Sequence, residues 1–487
     1  MSAAMTSAQS RTTSGVERVR TIRIEGGVPL RGTVTIGGAK NAALPALAAT
    51  LLTGDECVLN NVPALADIAT MVELLRALGA EVDVDRARKR VRVRAANIDR
   101  LDAPPELVAK MRASFLIAGP LLARFGEMAA STPGGCQLGA RPVDVDVRGF
   151  RQMGATVDFA DGGDRVSAKT IGLRGARIYM DYPSHTGTEN LLMAATLASG
   201  RTVIVNAASE PEIVHLGSML NRMGARITGL GSPTITVESV DRLHGMAETI
   251  LPDRLEAGTF AIGGVITGGE VTLRNVREPD MLPLTAKLRE AGAEVWIDED
   301  AMLVRPGRTL QAVEIQTLPF PGFPTDLQAA FAVLMTQATG RSKINERVFE
   351  DRLRYTDQLR TMGADIWVEK LAPVSETTSG SPRSESIRYG TRAEITGPTP
   401  LRGAAVRCLD IRAGAGVVLA GLVASGETIV SDVHHLDRGY EGLVPKLRDL
   451  GARIDERTGG SPEVVEATQE IDDALGSAPS SPTRPTR

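Results

Sequence analysis

Cys136 is the residue whose type and surroundings best suit proton donation. It lies in the loop at residues 133–142, Pro-Gly-Gly-Cys-Gln-Leu-Gly-Ala-Arg-Pro. A free thiol, with an ordinary pKa of about 8.5, is largely protonated at neutral pH. A lone cysteine is more often a small buried apolar residue, but the Gly, Pro and Gln neighbours of Cys136 follow no helix or strand period that would bury it. The glycines also permit a mobile loop that closes over a ligand.

The other residues that could do chemistry are less distinctive. Cys57 and Cys408 each fall in a strand pattern, which predicts buried, inert thiols. Asp326 precedes the apolar run Ala329 to Leu334, and on pattern alone a helix N-cap is favoured over a catalytic carboxylate. The pair His434-His435 is a weak metal signal, because adjacent residues of a strand point to opposite faces. We expect no metal and no redox cofactor.

Six copies of one short phrase predict the elements that position these residues. In each copy a helix is followed by Gly-Ala, one variable residue and then Val or Ile, at Gly79, Gly154, Gly224, Gly292, Gly363 and Gly451. The spacings of 75, 70, 68, 71 and 88 residues are longer than the roughly 20 to 50 residues of a solenoid repeat. We expect each glycine to adopt the left-handed conformation that ends a helix, and a strand to start after it.

A second phrase lies half a unit away, where an Ala/Leu-rich helix stops before Gly54, Gly200, Gly340 and Gly426. These helices are apolar nearly all round, which predicts that they are buried inside each domain. Two helices and about four strands per unit indicate an α/β fold of six βαβαββ-like units, three per domain. A site between two such domains would draw residues from both halves of the chain.

Composition excludes several classes of protein. The chain has 487 residues, of which 43% are hydrophobic and 23% charged, and its formal net charge is -4. This is typical of a globular protein of more than one domain and gives no general attraction to nucleic acid. The apolar stretches are too short to span a bilayer, three cysteines are too few for a disulfide framework, and the N-terminus lacks a secretory signal. We therefore expect a cytoplasmic protein that contacts neither membrane nor nucleic acid, in an oligomeric state that the sequence does not indicate.

Seven ordered phrases between about Arg23 and Glu456 resemble those of the enolpyruvyl transferases. They are Gly38-Ala39-Lys40-Asn41-Ala42-Ala43-Leu44-Pro45, Lys110-Met111-Arg112-Ala113-Ser114, the Cys136 loop, Phe323-Pro324-Thr325-Asp326-Leu327-Gln328, Val348-Phe349-Glu350-Asp351-Arg352, Asp410-Ile411-Arg412-Ala413 and Asp437-Arg438-Gly439-Tyr440-Glu441. The cysteine loop matches the sugar-nucleotide branch of the family. The resemblance implies a two-domain inside-out α/β barrel, with helices inside and sheets outside. The boundaries that we expect are a tail at 1–20, a first domain at 40–250, a second domain at 21–39 plus 251–470 with a disordered insert at 373–392, and a tail at 471–487.

The reaction that the resemblance implies adds a hydroxyl of UDP-N-acetylglucosamine to C2 of phosphoenolpyruvate and then eliminates phosphate. A proton must reach the methylene carbon of phosphoenolpyruvate, and Cys136 is the expected acid. Asp326 is the expected base for the sugar hydroxyl. Lys40, Arg141 and Arg438 match holders of phosphoenolpyruvate, and Arg352 and Arg412 match supporting cations, since a guanidinium grips oxyanions in two places. Contacts to the sugar nucleotide are implied for Asn41, Arg112, Pro142, Val143, Asp144, Val145, Ser184, His185, Asp326 and Val348.

One segment departs from the family pattern. Where Ser-Val-Gly-Ala is usual, this chain has Ser184-His185-Thr186-Gly187, so Ser184 is retained and His185 and Thr186 replace smaller groups. Two rivals stay open: a 3-phosphoshikimate enolpyruvyl transferase, which shares the donor but not the cysteine loop, and a non-catalytic paralogue that binds the sugar nucleotide and regulates cell-wall synthesis. Family members with this cysteine are alkylated there by fosfomycin, so we expect sensitivity to that drug.

Overall fold

The computed structural model describes residues 20–132, 143–160, 163–370 and 390–458, and the fold is a mixed α/β fold. Its strands are β1 (Arg20–Glu25), β2 (Arg31–Thr35), β3 (Glu56–Asn60), β4 (Glu81–Asp85), β5 (Arg90–Arg94), β6 (Glu127–Ser131), β7 (Thr156–Ala160), β8 (Arg165–Lys169), β9 (Arg177–Tyr179), β10 (Arg201–Val205), β11 (Arg226–Thr228), β12 (Thr234–Glu238), β13 (Ala247–Thr249), β14 (Glu270–Arg274), β15 (Glu294–Asp298), β16 (Ala301–Arg305), β17 (Glu314–Gln316), β18 (Gly340–Glu346), β19 (Asp365–Lys370), β20 (Thr391–Gly397), β21 (Ala405–Arg407), β22 (Glu427–Ser431) and β23 (Arg453–Thr458).

The α-helices are α1 (Lys40–Ala49), α2 (Ala66–Ala77), α3 (Pro105–Val108), α4 (Ala118–Phe125), α5 (Asp144–Gln152), α6 (His185–Ala195), α7 (Pro211–Arg222), α8 (Arg254–Ile266), α9 (Glu278–Glu290), α10 (Gln328–Gln337), α11 (Thr356–Thr361), α12 (Ile411–Val423) and α13 (Leu443–Asp449). Short 3-10 helices lie at Thr50–Leu52, Arg112–Ile117, Thr325–Leu327, Arg352–Tyr355 and Val433–Arg438. No helix among the described residues is both long and apolar enough to cross a bilayer.

The glycine of the repeated phrase ends a helix in the same way each time. Gly79, Gly154, Gly224, Gly292, Gly363 and Gly451 all have positive φ, between 87° and 105°. A strand begins two residues after each of these glycines: β4, β7, β11, β15, β19 and β23, in chain order. The left-handed conformation favours glycine, because a Cβ is strained there. The prediction that each phrase turns a helix into a strand is therefore confirmed.

The described strands form six sheets with a common pattern. Their orders are β13-β3-β5-β4, β6-β8-β7, β11-β12-β10-β9, β15-β16-β14-β2, β17-β18-β20-β19 and β21-β22-β1-β23. Each four-stranded sheet joins one parallel pair, such as β17 with β18, to antiparallel neighbours. The N-terminal strands β1 and β2 pair with β22, β23 and β14, so the start of the chain is built into sheets made by its second half.

The buried apolar side chains form two clusters. One contains residues from Ala39 to Leu251, and the other contains residues 22–36 together with residues 255–454. Helices α8, α10 and α12 of the second cluster pack against one another. Every residue of α8 after Arg254 is buried, as are nearly all residues of α10 and α12, so the prediction of buried apolar helices is confirmed.

Four details of the sequence analysis need correction. Residues 391 and 392, which we expected in the insert, begin β20, and Arg20, which we expected in the N-terminal tail, begins β1. His434 and His435 lie in a 3-10 helix with their ring centroids 4.1 Å apart, rather than on opposite faces of a strand. Cys408 is buried as predicted, but β21 ends one residue before it.

Candidate functional site

Asp326 lies between two buried guanidinium groups. Its Oδ1 accepts hydrogen bonds from Arg352 Nη2 at 3.1 Å and from Arg412 Nε at 3.3 Å. Arg352 and Arg412 have only 5% and 6% of their side-chain surface exposed, against 33% for Asp326. Burial would lower the pKa of Arg412, but Tyr440 and Asp326 raise it. Both arginines therefore stay charged, and Asp326 presents a partly open carboxylate beside them.

Local structure fixes these side chains by capping and burial. Asp410 caps α12, since its Oδ1 accepts from the backbone N–H groups of Arg412 and Ala413 at 2.7 and 3.0 Å. Asp326 itself does not cap a helix through its side chain, so the interpretation of Asp326 as an N-cap is wrong. Within the described residues, Arg412 Nη1 is buried without a hydrogen-bond partner. A buried unpaired donor is costly, so Arg412 Nη1 is a candidate donor to an oxygen atom of a ligand.

Glu346, at the end of β18, organises the segment that carries Asp326. Its Oε2 accepts from Thr325 Oγ1 at 2.8 Å and from Gln328 Nε2 at 3.0 Å. Its Oε1 accepts from the backbone N–H groups of Val348 and Phe349 at 2.6 and 3.0 Å. The buried Glu346 carboxylate thus joins the segment that carries Asp326 to the segment that begins at Val348. The sequence analysis had assigned these two segments to the site separately.

Asp67 joins Lys40 to Arg438. Its carboxylate lies 2.6 Å from Lys40 Nζ and accepts from Arg438 Nε at 2.9 Å. Burial lowers the pKa of Lys40, with Arg412 and Arg438 acting in the same direction and Asp67 opposing them. Lys40 and Asp67 belong to α1 and α2, whereas Arg438 comes from the 3-10 helix Val433–Arg438. This cation cluster therefore draws on both halves of the chain.

A small pocket lies beside Arg112. The residues that line it are Arg112, Phe115, Leu116, Val143, Asp146, Thr186 and Asn190. The side-chain amide of Asn190, in the pocket wall, makes three hydrogen bonds. Its Nδ2 donates to Asp146 Oδ1 at 2.8 Å and to the Phe115 carbonyl at 3.0 Å, and its Oδ1 accepts from Gly119 N at 2.8 Å. Burial raises the pKa of Asp146 to about 6, although Asn190 and Arg112 oppose this. The pocket therefore combines apolar walls with one cation and one carboxyl group.

The segment Ser184-His185-Thr186-Gly187, which departs from the family phrase, forms the start of α6. Ser184 is the N-cap, and its Oγ accepts from the Gly187 backbone N–H at 3.2 Å. His185 Nδ1 lies 3.4 Å from Glu189 Oε2, one turn further along the helix. Burial would lower the pKa of His185, but Glu189, Glu210 and Glu212 raise it to about 10. The contact with Glu189 at 3.4 Å and the neighbouring carboxylates favour the protonated, positively charged imidazole, while burial raises the pKa of Glu189 and His185 opposes that rise.

Glu212 connects this charged group to Arg254, which belongs to the second half of the chain. It accepts from Arg254 Nε and Nη2 at 3.0 and 3.3 Å, and both side chains are buried. Burial would raise the pKa of Glu212, but Arg254 holds it below the ordinary value. Arg254 also interacts electrostatically with Asp326. A chain of charges thus links the start of α6 to the Asp326 cluster.

The predicted site residues are distributed as follows. Lys40, Asp326, Arg352, Arg412 and Arg438 lie in the two cation and carboxylate clusters, and Arg112 and Val143 line the pocket. Asn41 is half-buried in the first turn of α1, Val145 is partly buried, and Asp144 is exposed. Val348 lies next to Glu346. Cys136, Arg141 and Pro142 lie outside the described residues.

Sequence reasoning missed Asp67, Glu346, Asp146 and Asn190. Asp67 and Asp146 have apolar neighbours on both sides, whereas Glu346 lies between Asn345 and Arg347 and Asn190 follows Glu189; no spacing sets any of the four apart. The one signal was the presence of acidic residues at positions that the helical and strand periods would bury, since a buried acid needs a partner. Among the described residues, no group of three His, Cys, Asp or Glu side chains is arranged to hold a metal ion.

Comparison with known proteins identifies relatives over most of the chain. The family model described as EPSP synthase (3-phosphoshikimate 1-carboxyvinyltransferase) matches residues 24–447. UDP-N-acetylglucosamine 1-carboxyvinyltransferase 1 of Caldanaerobacter subterraneus is 45% identical over 88% of this chain and 98% of its own length. UDP-N-acetylglucosamine 1-carboxyvinyltransferase 2 of Carboxydothermus hydrogenoformans is 48% identical over 89% of this chain and 98% of its own length. The structure of the enolpyruvyl transferase NikO from Streptomyces tendae superposes with a TM-score of 0.79 at 24% identity, covering 91% of this chain and 99% of that one, which is a likeness of fold.

Proposed function

Since the chain belongs to the EPSP synthase family of enolpyruvyl transferases, we propose that it transfers the enolpyruvyl group of phosphoenolpyruvate to the 3-hydroxyl of UDP-N-acetylglucosamine and releases phosphate. The names of its relatives at 45–48% identity support this acceptor. The reaction is an addition followed by an elimination, and it is the first committed step in the synthesis of peptidoglycan precursors. A cytoplasmic location fits these substrates.

The observation that carries the proposal is that cations from both halves of the chain surround two carboxylates, with Arg412 of one cluster acting electrostatically on Lys40 of the other. Arg352 and Arg412 flank Asp326, and Lys40 and Arg438 meet at Asp67. Phosphoenolpyruvate carries a phosphate and a carboxylate, so it needs several fixed cations. The unpaired Nη1 of Arg412 is one donor ready for such an oxyanion.

In this mechanism Asp326 removes the proton from the sugar hydroxyl as the oxygen attacks C2. The two arginines beside Asp326 favour its charged form, the form that accepts a proton. Cys136 delivers a proton to the methylene carbon, so that positive character develops at C2 as the hydroxyl adds. In the elimination step the Cys136 thiolate left by the addition takes a proton back from the same carbon, and phosphate departs from C2 with the proton that Asp326 had accepted. Lys40, Arg141 and Arg438 hold the phosphate and stabilise its developing charge.

The sugar nucleotide is bound by the Arg112 pocket and the adjoining segments. In this arrangement Val143, Asp144 and Val145 with Val348 hold the uracil and sugar, Ser184 approaches the diphosphate, and Asn41 contacts the reacting region. We further propose that the chain forms an inside-out α/β barrel of two domains, 40–250 and 21–39 plus 251–470, with three units each. The division of the buried apolar residues into two clusters supports this arrangement.

The deciding experiment measures phosphate release from phosphoenolpyruvate with each of two acceptors. We expect turnover with UDP-N-acetylglucosamine and none with shikimate 3-phosphate. Turnover with shikimate 3-phosphate alone would assign the chain to the other branch, that of EPSP synthase (3-phosphoshikimate 1-carboxyvinyltransferase). Binding of UDP-N-acetylglucosamine without any phosphate release would instead indicate a regulatory paralogue.

A further inference from the structure

The first turn of α6 has two neighbouring faces with different surroundings. Thr186 and Asn190, four residues apart, line the Arg112 pocket. His185 and Glu189, also four residues apart, form an ion pair beside the first turn of α7. Residues at this spacing lie on the same side of a helix. A shift of the first turn of α6 relative to α7 would therefore also shift Thr186 and Asn190 in the wall of the pocket.

The His185 face is rich in buried negative charge. Glu189 and Glu212 are each 1% exposed and Glu210 is 9% exposed. All three act on the imidazole of His185, whose side chain is 27% exposed although its Nε2 is buried. Among the described residues, Glu189 Oε1 and Glu210 Oε2 are buried without a hydrogen-bond partner. These carboxylates depend on nearby positive charge, because buried like charges repel strongly.

Two cations, Arg254 and His185, offset the negative charge of these carboxylates. Arg254, the first residue of α8, binds both oxygens of Glu212 and also interacts with Glu210. His185 balances the α6 side through Glu189. Without His185, the buried Glu189 would either keep an uncompensated negative charge or take up a proton, and in both cases the ion pair at the first turn of α6 would be lost. Arg254 does not replace this pair, since it already forms a bidentate pair with Glu212.

We propose that His185 is a positioning residue, whose positive charge holds the first turn of α6, and with it the nucleotide pocket, against α7 and the Glu212–Arg254 pair. This inference rests on the proposed function, because it assumes that the Arg112 pocket takes the sugar nucleotide. It gives His185 a role that differs from direct contact with the diphosphate.

The test compares His185→Gln, which removes the charge but keeps a polar side chain of similar size, with His185→Lys, which keeps the charge. Equilibrium binding of UDP-N-acetylglucosamine is measured by calorimetry, and KM and kcat are measured by phosphate release. For H185Q we expect the Kd and KM of the nucleotide to rise about tenfold, within the usual range of coupling between sites, while kcat changes by less than about twofold. For H185K we expect both constants within about threefold of wild type.

A double variant separates charge from packing. In H185Q/E189Q one cation and one carboxylate are removed together, so we expect binding to recover most of the loss seen in H185Q. If H185Q does not fold, H185K and H185Q/E189Q are compared with wild type instead. Both variants keep the balance of charge, so both should bind within about threefold of wild type.

Three outcomes would overturn the inference. They are an unchanged Kd in H185Q, an equal loss in H185Q and H185K, and a double variant as weak as folded H185Q. Wild-type protein that binds no UDP-N-acetylglucosamine would overturn the proposed function and this inference together. Wild-type turnover combined with an unchanged H185Q would reject this inference alone.

Discussion

Replacement of Asp146 by Asn should make the protein more stable at neutral pH. Asp146 is 3% exposed, and burial raises the pKa of its carboxyl group to about 6 from an ordinary value of 3.8. Asn keeps the shape of the side chain, and its oxygen can still accept the hydrogen bond from Asn190 Nδ2. The substitution therefore removes a buried charge and leaves the packing unchanged.

The sign and size of the effect follow from linkage between proton binding and folding. Because the folded carboxyl group holds its proton more tightly than the unfolded one, its contribution to stability is greatest below pH 3.8. That contribution is lost as the pH rises to about 6. At about 1.36 kcal/mol per pH unit, the charged form costs about 3 kcal/mol at pH 7 and about 1.5 kcal/mol at pH 5. The advantage of D146N should grow by that difference between pH 5 and pH 7.

The assay is urea unfolding of wild type and D146N at pH 5, 6 and 7, followed by circular dichroism. Asp144→Asn is the matched control, because Asp144 begins the same helix and is exposed. Loss of its interaction with the helix dipole should cost less than about 1 kcal/mol. A D146N protein that is less stable than wild type at pH 7, or whose advantage is the same at pH 5 and pH 7, would refute the assignment of a buried charge to Asp146.

Three further predictions concern the proposed reaction. Asp326→Asn should keep nucleotide binding and lower kcat about 100-fold to 10,000-fold, the usual effect of losing a general base; a fall of less than tenfold would argue against that role. Glu346→Gln should destabilise the protein by about 2 kcal/mol in urea unfolding, because the new amide nitrogen meets N–H donors where an oxygen accepted; a change below about 0.5 kcal/mol would contradict this. Cys136→Ala should bind UDP-N-acetylglucosamine and release no phosphate, and fosfomycin should inactivate the wild type, whereas full activity after treatment would count against an accessible thiol at Cys136.

The repeat in the sequence predicted much of the fold because its signals are local. A glycine that ends a helix needs only its own backbone conformation, and Gly79 and Gly451 show it at opposite ends of the chain. The buried helices were equally predictable, since α10 and α12 are apolar on all sides. Pairing of β1 with β22 and β23 was different, because the sequence by itself does not say which distant strands share hydrogen bonds.

For the site, the sequence by itself determined which residue types are available. It allowed Lys40, Asp326, Arg352, Arg412 and Arg438 to be singled out, because they lie in phrases that resemble those of the enolpyruvyl transferases.

Only the tertiary structure decided which of these groups meet and which partners fix them. Asp67 lies 371 residues from Arg438 in sequence, and Glu346 holds two segments through a single carboxylate. The altered segment at His185 could be read from the sequence as a substrate contact, whereas packing placed that side chain among Glu189, Glu210 and Glu212. The residue types can be read from the sequence. Which buried charges pair depends on their distances in space, and those distances are set by the tertiary fold.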